Sequence, residues 1–559
     1  MNYGFSLLPR LLVGILGLAI VCQTNGRAAA QEAAKRSPAA ANAANHPFPR
    51  RVPVPWVDTE AGWLNTTRPI KFEELRGKFV LIDFWTFCCI NCIHVLPELK
   101  KLEQAYPNEL VVVGVHSPKF AGERDAENVH EAIQRYEIEH PVLSDPTMTE
   151  WQKFGIQSWP TLVLVDPEGK AVWVGSGEKK AEEIREVIDR GLPYYRAKGL
   201  LNTEKLPFIK VAEPPNTPLR FPGKVIADDA TKRLFIADSN HNRIVVTDLD
   251  GQVEHVIGNG QIGRFDGPFG SASFHHPQGI VLAGNVLVVA DTENHLLREV
   301  NLATKEVTTI AGTGEQGGGF PGPAADGRFV GQPLSTALNS PWDLWIHDGE
   351  LYIAMAGPHQ IWKMARNGSE IGPYAGNGRE DIANGKLLPA MPYMSGFASF
   401  AQPSGLASDG KLLFVADSEG SAIRSVPFKA NGRVRTLVGV VGSLFDFGDV
   451  DGTGNKVRLQ HPLGVVFHDG KLYIADTYNN KIKVLDPAKK TCETLAGTGA
   501  VGDADAENGK DAMFNEPAGI TVAGDKLYVA DTNNQAIRVV EIAPPHLVTT
   551  LKIEGLKEK

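Results

Sequence analysis

The segment Cys88-Cys89-Ile90-Asn91-Cys92 follows directly on an apolar run, Phe79-Val80-Leu81-Ile82-Asp83-Phe84-Trp85. A Cys-x-x-Cys pair where a strand hands over to a helix is suited to disulfide exchange. Free backbone N–H groups and the positive end of the helix dipole favour thiolate over thiol there, and Cys-x-x-Cys thiols reach pKa values of roughly 3.5 to 7.5. Cys89 is the expected nucleophile. Cys92, one turn later and deeper, is placed to resolve a mixed disulfide by attacking the Cys89 sulfur. Asp83 lies in a run expected to be buried on both faces. A carboxylate without a partner takes up a proton near neutrality in such a place, which makes Asp83 the expected base for Cys92. Cys88 is an additional thiol that does not pair comfortably with Cys89, because adjacent Cα atoms lie about 3.8 Å apart and disulfides usually need at least about 4.4 Å.

Such a dithiol needs a sheet beneath it. Over residues 51–200 the pattern alternates: strand 80–85, helix 90–106, strand 110–115, helix 126–136, strands 161–165 and 171–175, and helix 181–191. That alternation implies an α/β sandwich. After residue 200 the chain becomes rich in Gly and Pro and repeats itself. A segment of the type Leu-Tyr-Ile-Ala-Asp recurs at 234–238, 287–291, 351–355, 413–417, 472–476 and 527–531, with Met355 replacing Asp in the third copy. Each copy follows a proline-containing strand opening (Pro222, Pro277, Pro341, Pro403, Pro462, Pro517) and precedes two more apolar strands. Four short strands repeated six times predict a six-bladed β-propeller over residues 215–555. The recurring Asp reads as a structural residue capping a turn, so Met355 predicts a differently built turn.

The copy Ala530-Asp531-Thr532-Asn533-Asn534-Gln535-Ala536-Ile537-Arg538 resembles the NHL repeat family. The Asp-Phe-Trp strand, Asp83 six positions before Cys89 and Pro97 five positions after Cys92 resemble thioredoxin. Gly155-Ile156-Gln157-Ser158-Trp159-Pro160-Thr161 is similar to the loop that holds a cis-proline beside the dithiol in that family, which implies substrate contact at Trp159 and Pro160. The segment 119–145 resembles the extra helix and strand of extracytoplasmic thioredoxin-like proteins. Cys88 stands where the family usually has Trp, and Ile90-Asn91 replaces a pair containing Pro, which leaves the redox direction open. Thioredoxin-like region, Cys-Cys-Ile-Asn-Cys and NHL propeller in one chain resemble the NHL repeat-containing protein 2 family. The C-terminal β domain that some members carry is not expected here, since the sequence stops soon after the sixth repeat.

A formal charge of −9 over 559 residues argues against nucleic-acid binding, which needs clustered Lys and Arg. Residues 1–30 read as a secretory signal: Arg10, an apolar run 11–21 and Ala28-Ala29-Ala30. The run is shorter than the roughly 20 residues that span a bilayer, and a lipid anchor at Cys22 is disfavoured by Val21. Residues 31–50 read as a flexible linker, and location outside the cytoplasm is expected. Cys492 falls at a usually apolar strand position and reads as a buried hydrophobe. No cofactor or metal is expected: His94 is poorly spaced for zinc with the lone Cys-x-x-Cys, and the loop 449–454 lacks the Glu of a calcium-binding EF-hand. His276, Ser340, Gln402, His461 and Glu516, each just before a blade-opening proline, read first as ordinary turn residues, and as candidates to rim the channel if the innermost strand begins there. His276 and His461 would face one another across it.

These readings predict an exported thiol-disulfide oxidoreductase-like protein acting on protein thiols or disulfides, with the propeller binding a partner. The alternatives are a non-enzymatic propeller scaffold with a structural or redox-sensing dithiol, and a lyase-like enzyme working in the propeller channel.

Overall fold

The computed structural model describes residues 45–56, 62–321 and 327–556; the leader and most of the linker lie outside the described residues. The N-terminal domain is built on a seven-stranded sheet: β1 (Val52–Pro53), β2 (Trp63–Leu64), β3 (Phe79–Trp85), β4 (Leu110–His116), β5 (Val142–Ser144), β6 (Thr161–Val165) and β7 (Lys170–Ser176). Their order is β1-β7-β6-β3-β4-β5-β2, with β3 parallel to β4 and antiparallel to β6. β3 is central and buried along its whole length, since both faces of the sheet are covered. Leu81 packs with Leu99, Leu102, Ile184 and Ile188 on one face, and Val80, Ile82 and Phe84 pack with Ile156 and Phe208 on the other.

The helices are α1 (Ile90–Ile93), α2 (Leu96–Ala105), α3 (Ala126–Arg135), α4 (Thr149–Phe154) and α5 (Ala181–Ala197). The single helix expected over 90–106 is two. Pro97 has no N–H to offer Ile93, and its ring collides with that carbonyl, so the first turn ends there and a new helix starts with Pro97 in its first turn. Conversely, α5 runs past Gly191 and Pro193 to Ala197, because Leu192 and Tyr195 continue its buried stripe.

The remainder is the six-bladed propeller, each blade a four-stranded antiparallel meander supplemented in three blades by a fifth short strand. The first blade runs from Pro222–Asp228 to Val253–Ile257, and the last from Pro517–Ala523 to Val548–Leu551. Blade 6 closes on blade 1 through Thr532 Oγ1, which donates to the Pro222 carbonyl at 2.8 Å, and the Phe221 N–H, which donates to Gln535 at 2.5 Å. The repeat motif does two jobs. Its hydroxyl residue sews neighbouring blades: Ser239, Thr292 and Thr477 donate to the carbonyls of Pro277, Pro341 and Pro517 at 2.7 to 2.8 Å. Its Asp ties down the incoming linker. Asp291, Asp417, Asp476 and Asp531 accept the N–H of His275, Ala401, Gln460 and Asn515 at 2.7 to 2.8 Å. In blade 3 the Met355 position and the Trp362 seven residues on are both apolar and buried.

One end of the propeller is capped by the N-terminal domain. Asn240, Gln316, Ser340, Gln402, Gln460 and Glu516, spread around the ring, all hydrogen-bond to it. No helix among the described residues is long and apolar enough to cross a membrane.

Candidate active site

Cys89 is the N-cap of α1, and its carbonyl receives the N–H groups of Cys92 and Ile93 at 3.0 and 3.1 Å. Cys88, Cys89 and Cys92 are free thiols, only 2%, 4% and 0% exposed. They form one apolar cluster with Trp85, Phe87, Phe120, Val142 and Tyr478, and Trp159 packs against it. The Trp159–Pro160 peptide is cis, and the Trp159 indole donates to the Ser117 carbonyl at 2.9 Å. The expected site residues Asp83, Cys89, Cys92, Trp159 and Pro160 are thus set in one region at the end of β3, with Cys88 beside them.

Asp83 is fully buried, and neither carboxylate oxygen has a hydrogen-bond partner among the described residues. Burial pushes its pKa up to about 7, with His140 pulling the other way. Burial also pushes the Cys92 thiol well up, as do its hydrogen bond to Cys89 and the nearby Asp83 charge. A deep, reluctant thiol beside an orphan carboxylate poised near neutrality is the arrangement that a transferable proton requires.

The propeller closes over this site, which the sequence did not announce. Gln402 Oε1 accepts the Ile90 N–H at 2.9 Å, so the first amide of α1 points to the propeller and not to sulfur. With α1 only one turn long, the field expected at Cys89 is that of a short helix already capped. His94, two residues after Cys92, contacts Ser340 Oγ and Glu178, each at 2.7 Å. Lys119 is buried between Glu419 and Glu380, 3.0 Å from the latter. Glu123 accepts from Thr86 Oγ1 (2.6 Å) and from the N–H groups of Cys88, Lys119 and Phe120 (2.8 to 3.0 Å), which fixes the loop around the cysteines. Lys119 and Glu123 escaped sequence reasoning, and Gln402, a candidate for the channel rim, was not expected at the dithiol.

The six residues before the blade openings, Phe221, His276, Ser340, Gln402, His461 and Glu516, all have left-handed backbone with φ of 44° to 58°. Non-glycine residues adopt that region at a cost, and such residues gather at functional sites. Four of the five candidates, His276, Gln402, His461 and Glu516, line one cavity together with Phe87, Cys88 and Arg135, and Ser340 instead contacts His94. His461 is stacked on Tyr478 of blade 5 at 4.4 Å and edge-on to Phe120 of the N-terminal domain at 5.3 Å, so both domains fill the mouth beside it. In the loop after blade 4, Asp449 and Asp451 are engaged by Lys481 and Lys483 at 2.5 to 2.9 Å, a charge-neutralised arrangement unlike a calcium loop. Cys492 packs in the apolar core of blade 5, where burial pushes its thiol up to about 12.

A thioredoxin-like family model matches residues 77–171, and the NHL repeat model matches residues 514–540. NHL repeat-containing protein 2 of Bos taurus is 43% identical over 515 residues, spanning 86% of this chain and 69% of the relative. The chain belongs to the NHL repeat-containing protein 2 family. Protein SUPPRESSOR OF QUENCHING 1, chloroplastic, of Arabidopsis thaliana is 43% identical over 525 residues, 90% of this chain and 48% of that protein. Thiol-disulfide oxidoreductase YkuV of Bacillus subtilis is 28% identical over 143 residues, 25% of this chain and 95% of its own length. The likeness to oxidoreductases is thus confined to the domain that carries the dithiol, while likeness to the NHL repeat-containing protein 2 family spans both domains and the contact between them.

Proposed function

We propose that the protein exchanges disulfides through Cys89 and Cys92, with the propeller acting as a cover that must move aside before a client reaches Cys89. The unpartnered Asp83 carboxylate beside Cys92 carries this reading, since an isolated buried charge costs several kcal/mol and a purely structural pair gains nothing from it. Cys89 attacks a client disulfide, and one client thiolate leaves. Cys92 passes its proton to Asp83 as its sulfur attacks Cys89. The Cys89–Cys92 disulfide forms, and the client departs reduced while the dithiol is oxidised. Trp159 and Pro160 line the approach of the client backbone. We infer from residues 1–30 that this takes place outside the cytoplasm.

The test is disulfide reduction by the full chain with a dithiol supply. Wild type turns over, Cys89→Ser does not, and Cys92→Ser accumulates client bound through Cys89. Turnover undiminished in Cys89→Ser would falsify the reading. The burial of Cys89 favours a second one, in which the dithiol senses redox state and its oxidation loosens the propeller. In that case the oxidised chain shows altered domain contact without turnover.

A further inference from the structure

Gly114 on β4 is the parallel partner of Asp83 on β3, so both positions face the same side of the sheet. The space that a side chain at 114 would take is bordered instead by Trp85 Nε1 and His140 Nε2. A Cβ there would lie 2.9 and 3.4 Å from those atoms. Both are buried without a hydrogen-bond partner among the described residues, as are both Asp83 oxygens. Buried polar atoms are ordinarily satisfied; here two beside Gly114 and two on its strand partner Asp83 are not. The other edge of the His140 ring faces outward: Nδ1 lies 3.7 Å from Glu103 Oε1 on α2. His140 and Glu103 both line a cavity between the N-terminal domain and the propeller, with Ile93, Leu96, Ile262 and His276.

We propose that His140 carries the proton of Asp83 to and from solvent, taking it on the Nε2 side and releasing it on the Nδ1 side towards Glu103 and the cavity. The proposal rests on the exchange reading above and supplies the step that reading leaves open. Asp83, its pKa pushed up to about 7 by burial, must be emptied before it can take the proton of Cys92, in the first cycle as in every later one. His140 accepts the Asp83 proton as imidazolium and hands it outward, so neither charge nor electrons accumulate in the core. The titratable groups around Asp83 are Cys89 and Cys92 on the active turn, His116 on β4, His140 before β5 and Glu103 beyond it. His116 is kept neutral by burial between Trp85 and Phe87, its pKa pushed down to about 3, which leaves His140 as the base of the group that reaches the cavity. His140 is a positioning residue, acting on sulfur only through Asp83.

The experiment uses the full reduced chain and an aryl disulfide that releases a coloured thiolate. The first thiolate released reports attack by Cys89, the second reports resolution by Cys92. In His140→Asn the first phase is unchanged and the second slows by about a hundredfold, the lower end of what a positioned proton-transfer group contributes. Its pH profile shifts, and added imidazole restores it. Glu103→Gln, at the half-buried outer end, slows the same phase less and guards against misfolding of the first variant. Separately, the Asp83 carboxyl is followed by isotope-edited infrared titration. Its midpoint moves up in His140→Asn, because the histidine charge that lowers it is gone. A folded His140→Asn whose second phase and Asp83 midpoint match wild type overturns the proposal. Should the wild type release no thiolate at all, the exchange reading fails by itself, and the Asp83 midpoint still decides whether His140 is coupled to it.

Discussion

Asp83 and Asp417 are the same residue type at the same complete burial, one in the N-terminal sheet and one in blade 4. Asp417 accepts the Ala401 N–H at 2.7 Å and Arg424 Nη1 at 2.6 Å. Asp83 accepts nothing among the described residues. Burial pushes the Asp417 pKa up to about 6, partly offset by Arg424, and that of Asp83 to about 7. The Asp417 carboxylate is held by an N–H group and a guanidinium, whereas nothing among the described residues holds Asp83 in its charged form. The propeller repeats a buried charge to lock backbone in place and supplies its counter-charge within the same blade, as Asp291 with Arg298 and Asp531 with Arg538 also show. In the N-terminal domain Asp83 is buried with neither a counter-charge nor a hydrogen-bond partner among the described residues, in the place where three thiols converge. The proposed role in proton transfer accounts for a cost left uncompensated in a fold that elsewhere compensates the same cost repeatedly.

The largest effect that sharpens this contrast comes from removing the fixed partner. Asp417→Ala leaves the guanidinium of Arg424 buried opposite no carboxylate and is expected to cost about 3 to 5 kcal/mol, read from denaturant midpoints. Blade 3 shows the apolar solution to the same position, Met355 with Trp362, so the double change Asp417→Met and Arg424→Trp should recover part of that loss. A double variant no better than the single one breaks the view that charge pairing is what the motif needs.

Asp83→Asn is expected to act in the opposite direction on stability while slowing exchange. The pKa of Asp83 is about 7 in the folded chain against an ordinary 3.8. The folded state therefore holds the extra proton between those values. This contribution favours folding on the acid side and is lost as pH rises from about 4 to about 7, amounting to roughly 4 kcal/mol at about 1.4 kcal/mol per unit. Unfolding curves of wild type and Asp83→Asn across that range should diverge towards neutral pH, with the variant the more stable. Other buried carboxylates contribute the same slope to both chains and cancel. Parallel curves would make Asp83 an ordinary buried residue, and the contrast with Asp417 would vanish.

The cover over the dithiol gives the next effect. Gln402→Ala releases the Ile90 N–H and one tie between the domains, and Cys89 should alkylate severalfold faster, a change worth about 1 kcal/mol, the usual net worth of one hydrogen bond. Cys492, in the core of blade 5, should keep its wild-type rate and serves as the internal reference. Equal rates at Cys89 in variant and wild type would mean that the propeller is no barrier to it.

The blades were legible because a repeat is written in the sequence six times, and the dithiol because its two cysteines lie within a single turn. The break after Ile93 was legible too, in Pro97 four residues on, but the apolar spacing across 90–106 obscured it. What hid from sequence was everything joining the domains: Gln402 reaches Ile90 across 312 positions, and Lys119 reaches Glu380 across 261. No periodicity encodes such pairs. The one available signal is variation within the repeat. The position before each blade opening is Phe221, His276, Ser340, Gln402, His461 or Glu516, while the Asp position five times repeats one residue. A propeller position that repeats serves the ring itself, and one that varies from blade to blade faces something asymmetric.

The smallest effect tests the repeating part of that statement. Thr477 sits between blades 5 and 6, its hydroxyl donating to the Pro517 carbonyl at 2.8 Å, whereas blade 3 has Ala356 at the same motif position and no hydroxyl to offer. Thr477→Val keeps the shape and removes the donor, leaving a buried carbonyl short of a partner. The expected cost is about 1 kcal/mol in denaturant stability, with no change in Cys89 alkylation. Ala356→Ser should gain less than that cost, because the chain around blade 3 is already packed to do without the bond: Ala356 lies against Ile90 and Ile93 of the active turn. If Thr477→Val instead speeds alkylation of Cys89, blade-to-blade sewing and domain closure are one cooperative system, and the division between repeating and asymmetric positions fails at its simplest point.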